Sequence, residues 1–178
     1  MAIITRHEIT KALERLGQLA EAQGEKIELV LVGGALMVLA YETRPSTRDV
    51  DAVILAPSET RIVRTFVETI AAERGWPKDW LNDAVKGYMI GLSSGPVIFS
   101  APGIAVRSPS VGQLLAMKLS AWRDDVDIAD ARRLLQEFPP GSNREAVWQE
   151  VEPYLVPGDE LKAQYAFLDL WEALHGED

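Results

Sequence analysis

The chain has 178 residues, enough for one sizeable core with a small annex and too few for two large domains. Its 27 acidic residues against 18 basic ones leave a net charge of −9, which argues against a broad electrostatic grip on nucleic acid, since such a grip is built from lysine and arginine facing phosphates. There is no cysteine, so disulfides, thiolate nucleophiles and cysteine-bound zinc or iron–sulfur centres are excluded together, and the chain suits a reducing compartment.

The start of the chain, up to His7, lacks a basic segment leading into a long apolar run, which predicts no secretory signal and a cytoplasmic location. Ile9, Leu13, Leu16 and Ala20 recur at helical spacing and predict an amphipathic helix from Arg6 to Gln23, closed near Gly24. Ile27 to Val32 reads as a buried strand, Gly33-Gly34 as a turn, and Ala35 to Tyr41 as a buried helix. The uncharged stretch Leu29 to Tyr41 is shorter than the roughly 20 apolar residues of a membrane span, so no membrane partner is expected. Val50 to Leu55 is a second strand. Pro57-Ser58 then opens a helix carrying Ile62, Val63, Phe66, Val67 and Ile70 that ends near Gly75.

Three short strands are predicted next, around Tyr88 to Leu92, Val97 to Phe99 and Ile104 to Val106. Ser108-Pro109 has the look of a helix start, a hydroxyl cap before a proline, and Val111 to Trp122 supplies an apolar face. A further helix near Asp125 to Glu137 stops before Pro139-Pro140-Gly141, the best boundary candidate in the chain. Helices at Asn143 to Glu152 and around Leu161, Tyr165, Leu168 and Trp171 complete it. The alternation predicts an α/β (α+β) fold, a mixed sheet flanked by helices, with a core over residues 1–138 and a helical C-terminal extension over 139–178 packed on it. Trp76 and Trp80 read as packing anchors rather than as a base-stacking platform.

The chemistry concentrates between Gly33 and Asp51. A strand advances with period two, so Asp49 and Asp51 at the head of the Val50 to Leu55 strand share a face and can converge on one cation. A pair of hard oxygen ligands suits magnesium carrying a nucleoside triphosphate, because waters and phosphate oxygens complete its shell. Without Cβ atoms, Gly33 and Gly34 let the backbone approach a phosphate closely. Arg44, Arg48, Arg107, Lys118 and Arg123 either form a small basic rim for a triphosphate or one RNA end or are scattered solvated charges. Two other nucleotide or hydrolase chemistries find no support: there is no Gly-x-x-x-x-Gly-Lys-Ser/Thr run, and the two histidines, His7 and His175, lie near the ends.

In order, Gly33-Gly34, Arg44, Thr47 and Asp49-Val50-Asp51 resemble the signature of the nucleotidyltransferase superfamily with the polymerase-β-type core. Trp80-Leu81-Asn82-Asp83, then Leu114 to Arg123 leading to Asp127 and Asp130, resemble a bacterial branch of small nucleotidyltransferase-like proteins similar to toxins of abortive-infection and toxin–antitoxin systems. The resemblance implies magnesium at a two-metal site on Asp49 and Asp51, a triphosphate held by Gly33 and Gly34, and Lys118 reaching a phosphate oxygen. It implies transfer of a nucleoside monophosphate from the triphosphate to a hydroxyl of an RNA end such as that of tRNA, a protein or a small molecule, and a cognate antitoxin as a partner.

Two residues stay open between roles. Lys118 is either a phosphate ligand or a snorkelling side chain. Asp127 is either a catalytic acid or the i, i+4 partner of Arg123. Two departures also separate the chain from the pattern. Ala35 stands where many members carry a serine, with Ser46 or Thr47 as a substitute, and no acid lies on the Val97 and Ile104 strands, which leaves Asp79, Asp83, Asp124, Asp125 and Asp127 as third carboxylates. They keep a second reading alive, a catalytically silent nucleotide- or partner-binding module of the same fold.

Overall fold

A computed structural model describes residues 3–176; the outermost parts of the two expected domains, at Met1, Ala2, Glu177 and Asp178, lie outside the described residues. The chain divides into two compact units, Met1–Gly87 with Gly95–Ser108 and Tyr88–Ser94 with Pro109–Asp178. The Pro139-Pro140-Gly141 cluster lies inside the second of these.

The first unit carries the expected mixed sheet flanked by helices. Its elements are β1 (Ile4–Thr5), α1 (Arg6–Ala22), β2 (Ile27–Val32), α2 (Gly33–Leu36), β3 (Ser46–Thr47), β4 (Val50–Ala56), α3 (Thr60–Arg74), β5 (Leu81–Asn82), β6 (Val97–Ala101) and β7 (Ile104–Arg107). Five strands form one sheet in the order β5-β4-β2-β7-β6, and β1 pairs with β3 separately. β2 runs antiparallel to β4 and parallel to β7, and β5 runs parallel to β4. As the central strand, β2 is buried from Leu29 to Val32, which is why those four residues are a continuous apolar run rather than an alternating one.

α1 begins in a capping box, with the Thr5 hydroxyl accepting from Glu8 N and the Glu8 carboxylate accepting from Thr5 N at 2.8 Å. Its buried stripe, Ile9, Ala12, Leu13, Leu16 and Ala20, faces α3 and the sheet. Arg15 joins the two helices by a forked ion pair to Glu73, at 3.1 Å from Nε and 2.8 Å from Nη2. α3 ends where Gly75 takes up a left-handed conformation, as its position predicts. After α3, Trp80 is buried, donates from Nε1 to the Val67 carbonyl at 2.9 Å and meets Trp76 edge-on at 5.3 Å, so both act as packing anchors.

The second unit is helical: α4 (Val111–Ala121), α5 (Asp125–Leu135), α6 (Arg144–Val151) and α7 (Glu160–His175). α4 contacts each of the other three. Gln113, fully buried on α4, fastens the segment Tyr88–Ser94 by accepting from Ser93 N at 2.8 Å and Ser93 Oγ at 2.6 Å and donating to the Ile90 and Gly91 carbonyls at 3.2 and 3.1 Å.

Four local expectations are corrected. Tyr88 to Leu92 is not a strand, because its carbonyls serve Gln113 instead of a ladder and Gly91 turns the chain at φ +65°. The helix expected at Ser108-Pro109 starts two residues later, with Ser110 as the cap accepting from Gln113 N at 3.2 Å. Similarly, α3 starts at Thr60, capped by the Glu59 carboxylate, rather than at Pro57-Ser58. The buried helix after the diglycine begins at Gly33 itself and widens into a π-helical turn over Met37–Tyr41, ending at Glu42 with φ +55°. No helix among the described residues is long and apolar enough to cross a membrane.

Candidate functional site

The diglycine turn closes around side chains from β3 and β4. Gly33 sits at φ +63°, a conformation that glycine alone adopts without strain, and a Cβ built there would lie 2.9 Å from Asp51 Oδ2. Asp51 reaches this place because it pairs with Val32, the residue before the turn, across the antiparallel β2–β4 ladder. At Gly34 a Cβ would lie 2.6 Å from Thr47 Oγ1 and 3.3 Å from Arg44 Nη1. The backbone is therefore bare on the side where a carboxylate, a hydroxyl and a guanidinium converge.

Thr47 is held from two directions. Its backbone pairs with Ile4 in the β1–β3 ladder, and its hydroxyl donates to the Asp49 carbonyl at 3.2 Å. Of the two hydroxyls expected to stand in for a serine after Gly34, Thr47's lies against the turn, while Ala35 is fully buried. The carboxylate doublet is not a pure strand pair: β4 begins at Val50, so Asp49 precedes the ladder and is exposed, while Asp51 is half-buried within it. Arg48 is exposed beside them.

These residues suit a divalent cation that arrives on a triphosphate. No group of three or more histidine, cysteine, aspartate or glutamate side chains suited to a metal occurs among the described residues, so these offer no closed cage. What they offer is a carboxylate pair beside a turn against which Asp51, Thr47 and Arg44 pack closely because Gly33 and Gly34 carry no Cβ atoms. That is the donor set magnesium uses when its remaining ligands are waters and phosphate oxygens.

The remaining site candidates lie in the second unit and hold one another. Lys118 Nζ is 3.1 Å from Asp127 Oδ1 and 2.7 Å from Asp130 Oδ2, and both carboxylates are almost fully buried. Asp127 also accepts from Arg123 N at 3.1 Å and Arg123 Nε at 3.3 Å. Burial alone would raise the Asp127 pKa, but the Lys118 charge, the Arg123 backbone N–H and the side-chain bonds from both cations outweigh it and hold the carboxyl below its ordinary value. Asp127 is thus the i, i+4 partner of Arg123, and a phosphate reaching Lys118 competes with two carboxylates. Asp130, one turn along α5 from Asp127, is the partner whose role the sequence alone did not assign.

The sequence pattern also gave no sign of β5. It pairs with β4 through Val50↔Leu81 and Asp51↔Asn82, and so puts Asn82 beside Asp51. Asp83 follows, paired with Arg64 at 3.3 Å and Lys86 at 3.7 Å. β6 and β7 carry no acid, as their sequences require.

A mixed five-stranded sheet whose central strand turns at a diglycine onto a carboxylate of its neighbour defines a nucleotidyltransferase-like fold. Residues 7–135 match the model of a family described as nucleotidyltransferase of unknown function (DUF6036), and the chain belongs to that family. No curated protein and no solved structure is significantly similar to the chain.

Proposed function

We propose that the chain is a magnesium-dependent nucleotidyltransferase that moves a nucleoside monophosphate from a nucleoside triphosphate to a hydroxyl acceptor. The observation that carries this reading is the close fit of the Gly33-Gly34 turn against Asp51, Thr47 and Arg44. Asp49 and Asp51 would hold the cation, which when bound neutralises triphosphate charge and polarises the phosphoryl oxygens. Gly33 and Gly34 would offer backbone N–H groups to the phosphates, Arg44, close against Gly34, would offset their charge, and Thr47 fixes the backbone at Asp49. The acceptor hydroxyl belongs to an RNA end, a protein or a small molecule. A place as the toxin of a two-gene pair rests on the sequence resemblance alone.

Incubation with magnesium and each α-labelled triphosphate in turn, in total RNA and protein, tests the reading. Asp49→Ala and Asp51→Ala are each expected to abolish label transfer with the fold intact, since truncating a polar side chain outside the apolar core leaves most of the stability in place. Retained transfer in both variants refutes the assignment. A second reading, a catalytically silent binding module, is favoured by Asn82, an amide where a third carboxylate would complete the group. Triphosphate binding without release of pyrophosphate would support it.

A further inference from the structure

The ladder between β4 and β5 places a side chain next to Asp51 that the proposed reaction has not used. Register partners in a parallel pair lie about 4.8 Å apart and project to the same face. Burial follows that rule here: Val50 and Leu81 are both buried, and Asp51 and Asn82 are both half-buried. The carboxamide of Asn82 is also oriented. Its Oδ1 accepts from Ala84 N at 3.2 Å, and because a backbone N–H can only donate, this bond fixes which end of the amide is oxygen and leaves the NH2 as the remaining group. Asp83, the nearest acid in sequence, is paired with Arg64 and Lys86. β5 therefore presents Asp51 with an oriented neutral amide and not with another charge.

We propose that Asn82 is a positioning residue of the Asp49/Asp51 cation site, steadying the Asp51 carboxylate through its amide N–H and keeping the site at two negative charges. The inference rests on the proposed cation site and adds to it a reason for modest cation affinity in the absence of nucleotide. Two carboxylates hold magnesium weakly until phosphates complete the shell, whereas a third carboxylate at this spacing would hold it without them.

The test is calorimetric titration of the full chain with Mn2+ alone, together with Asn82→Asp, Asn82→Ala and Asn82→Asp/Asp51→Ala. Aspartate keeps an acceptor for Ala84 N, so Asn82→Asp is expected to unfold at the wild-type temperature and to bind Mn2+ about tenfold more tightly, from the added charge beside Asp51. That gain is expected to vanish when Asp51 is alanine. Asn82→Ala is expected to loosen Mn2+ about threefold through a less ordered Asp51 carboxylate. An unmutated chain that binds Mn2+ through Asp51 while both Asn82 substitutions leave its affinity unchanged overturns the inference and spares the cation site. If neither the unmutated chain nor Asn82→Asp binds Mn2+ at millimolar concentration, the cation site and the inference fall together. Binding is read without label transfer, so each outcome holds for an active and an inactive chain alike.

Discussion

Replacing Gly34 by alanine probes whether the turn is truly wrapped around Thr47. Gly34 has no positive φ, so alanine suits its backbone, and at the first turn of a helix the exchange alone should stabilise by about 0.5–1 kcal/mol. Against this, the new methyl would lie 2.6 Å from Thr47 Oγ1 and 3.4 Å from Thr47 Cβ. Threonine is stiff at χ1, and β3 is pinned by β1 at Ile4↔Thr47, so the hydroxyl cannot swing away freely. Overpacking of this kind costs about 1–3 kcal/mol, which outweighs the helical gain, and Gly34→Ala should destabilise by about 1–2 kcal/mol. Thr47→Ala loses one hydrogen bond, Oγ1 to the Asp49 carbonyl, at about 0.5–1.5 kcal/mol. In the double variant the clash with Oγ1 is gone while the alanine gain remains, so it should be no less stable than Thr47→Ala, with a favourable coupling of about 1.5–3 kcal/mol. Urea denaturation of the four proteins measures this cycle. Additive single effects, within about 0.5 kcal/mol, would refute the contact between the turn and Thr47.

Three further outcomes are expected. Lys118→Ala strands the buried carboxylates of Asp127 and Asp130 and should cost about 3 kcal/mol in chemical denaturation; a loss below about 1 kcal/mol accompanied by weakened triphosphate binding would instead place the ammonium on a phosphate. Because the folded Asp127 carboxyl titrates below its unfolded counterpart, its contribution is complete above the ordinary carboxylate value of about 3.9 and is lost as pH falls through the lower folded value. The stability difference between the unmutated chain and Asp127→Asn should therefore be constant near neutrality and shrink below about pH 4; a difference that grows on acidification contradicts the pairing. Gln113→Ala removes four hydrogen bonds that fasten Tyr88–Ser94 and should cost about 2–4 kcal/mol, with limited proteolysis moving to that segment; unaltered cleavage would show that the segment is held by other contacts.

Legibility in the sequence followed the length of the periodic signal. α1 and α3 were readable because apolar residues recur at helical spacing through several turns of each, and β2 because this central strand carries the apolar run Leu29 to Val32. The diglycine and Asp51 were readable as types at a spacing, but their contact was not, since it depends on the β2–β4 register that sets Val32 opposite Asp51. Helix starts slipped by two residues where a proline preceded the actual cap, as at Ser110, since Ser108 and Ser110 both offer a capping hydroxyl and only the Gln113 network chooses between them. Tyr88 to Leu92 has strand composition, and its backbone is claimed by a side chain more than 20 residues away.

The least legible element bears most directly on chemistry. β5 has two residues, too few to show any period, and exists because Val50 N donates to the Trp80 carbonyl at 2.7 Å while buried Trp80 is anchored on α3 through Val67. A tryptophan read as a packing anchor thus sets the position of Asn82 beside Asp51. This coupling predicts that Trp80→Phe, which keeps most of the ring's bulk and loses the indole N–H, perturbs Mn2+ binding at Asp51 as well as lowering stability by about 1–3 kcal/mol. Isothermal titration with Mn2+ beside thermal unfolding separates the two effects. A destabilised variant with unchanged Mn2+ affinity would mean that β5 keeps its register without the Trp80 anchor, and that Asn82 is positioned by the Ala84 turn alone.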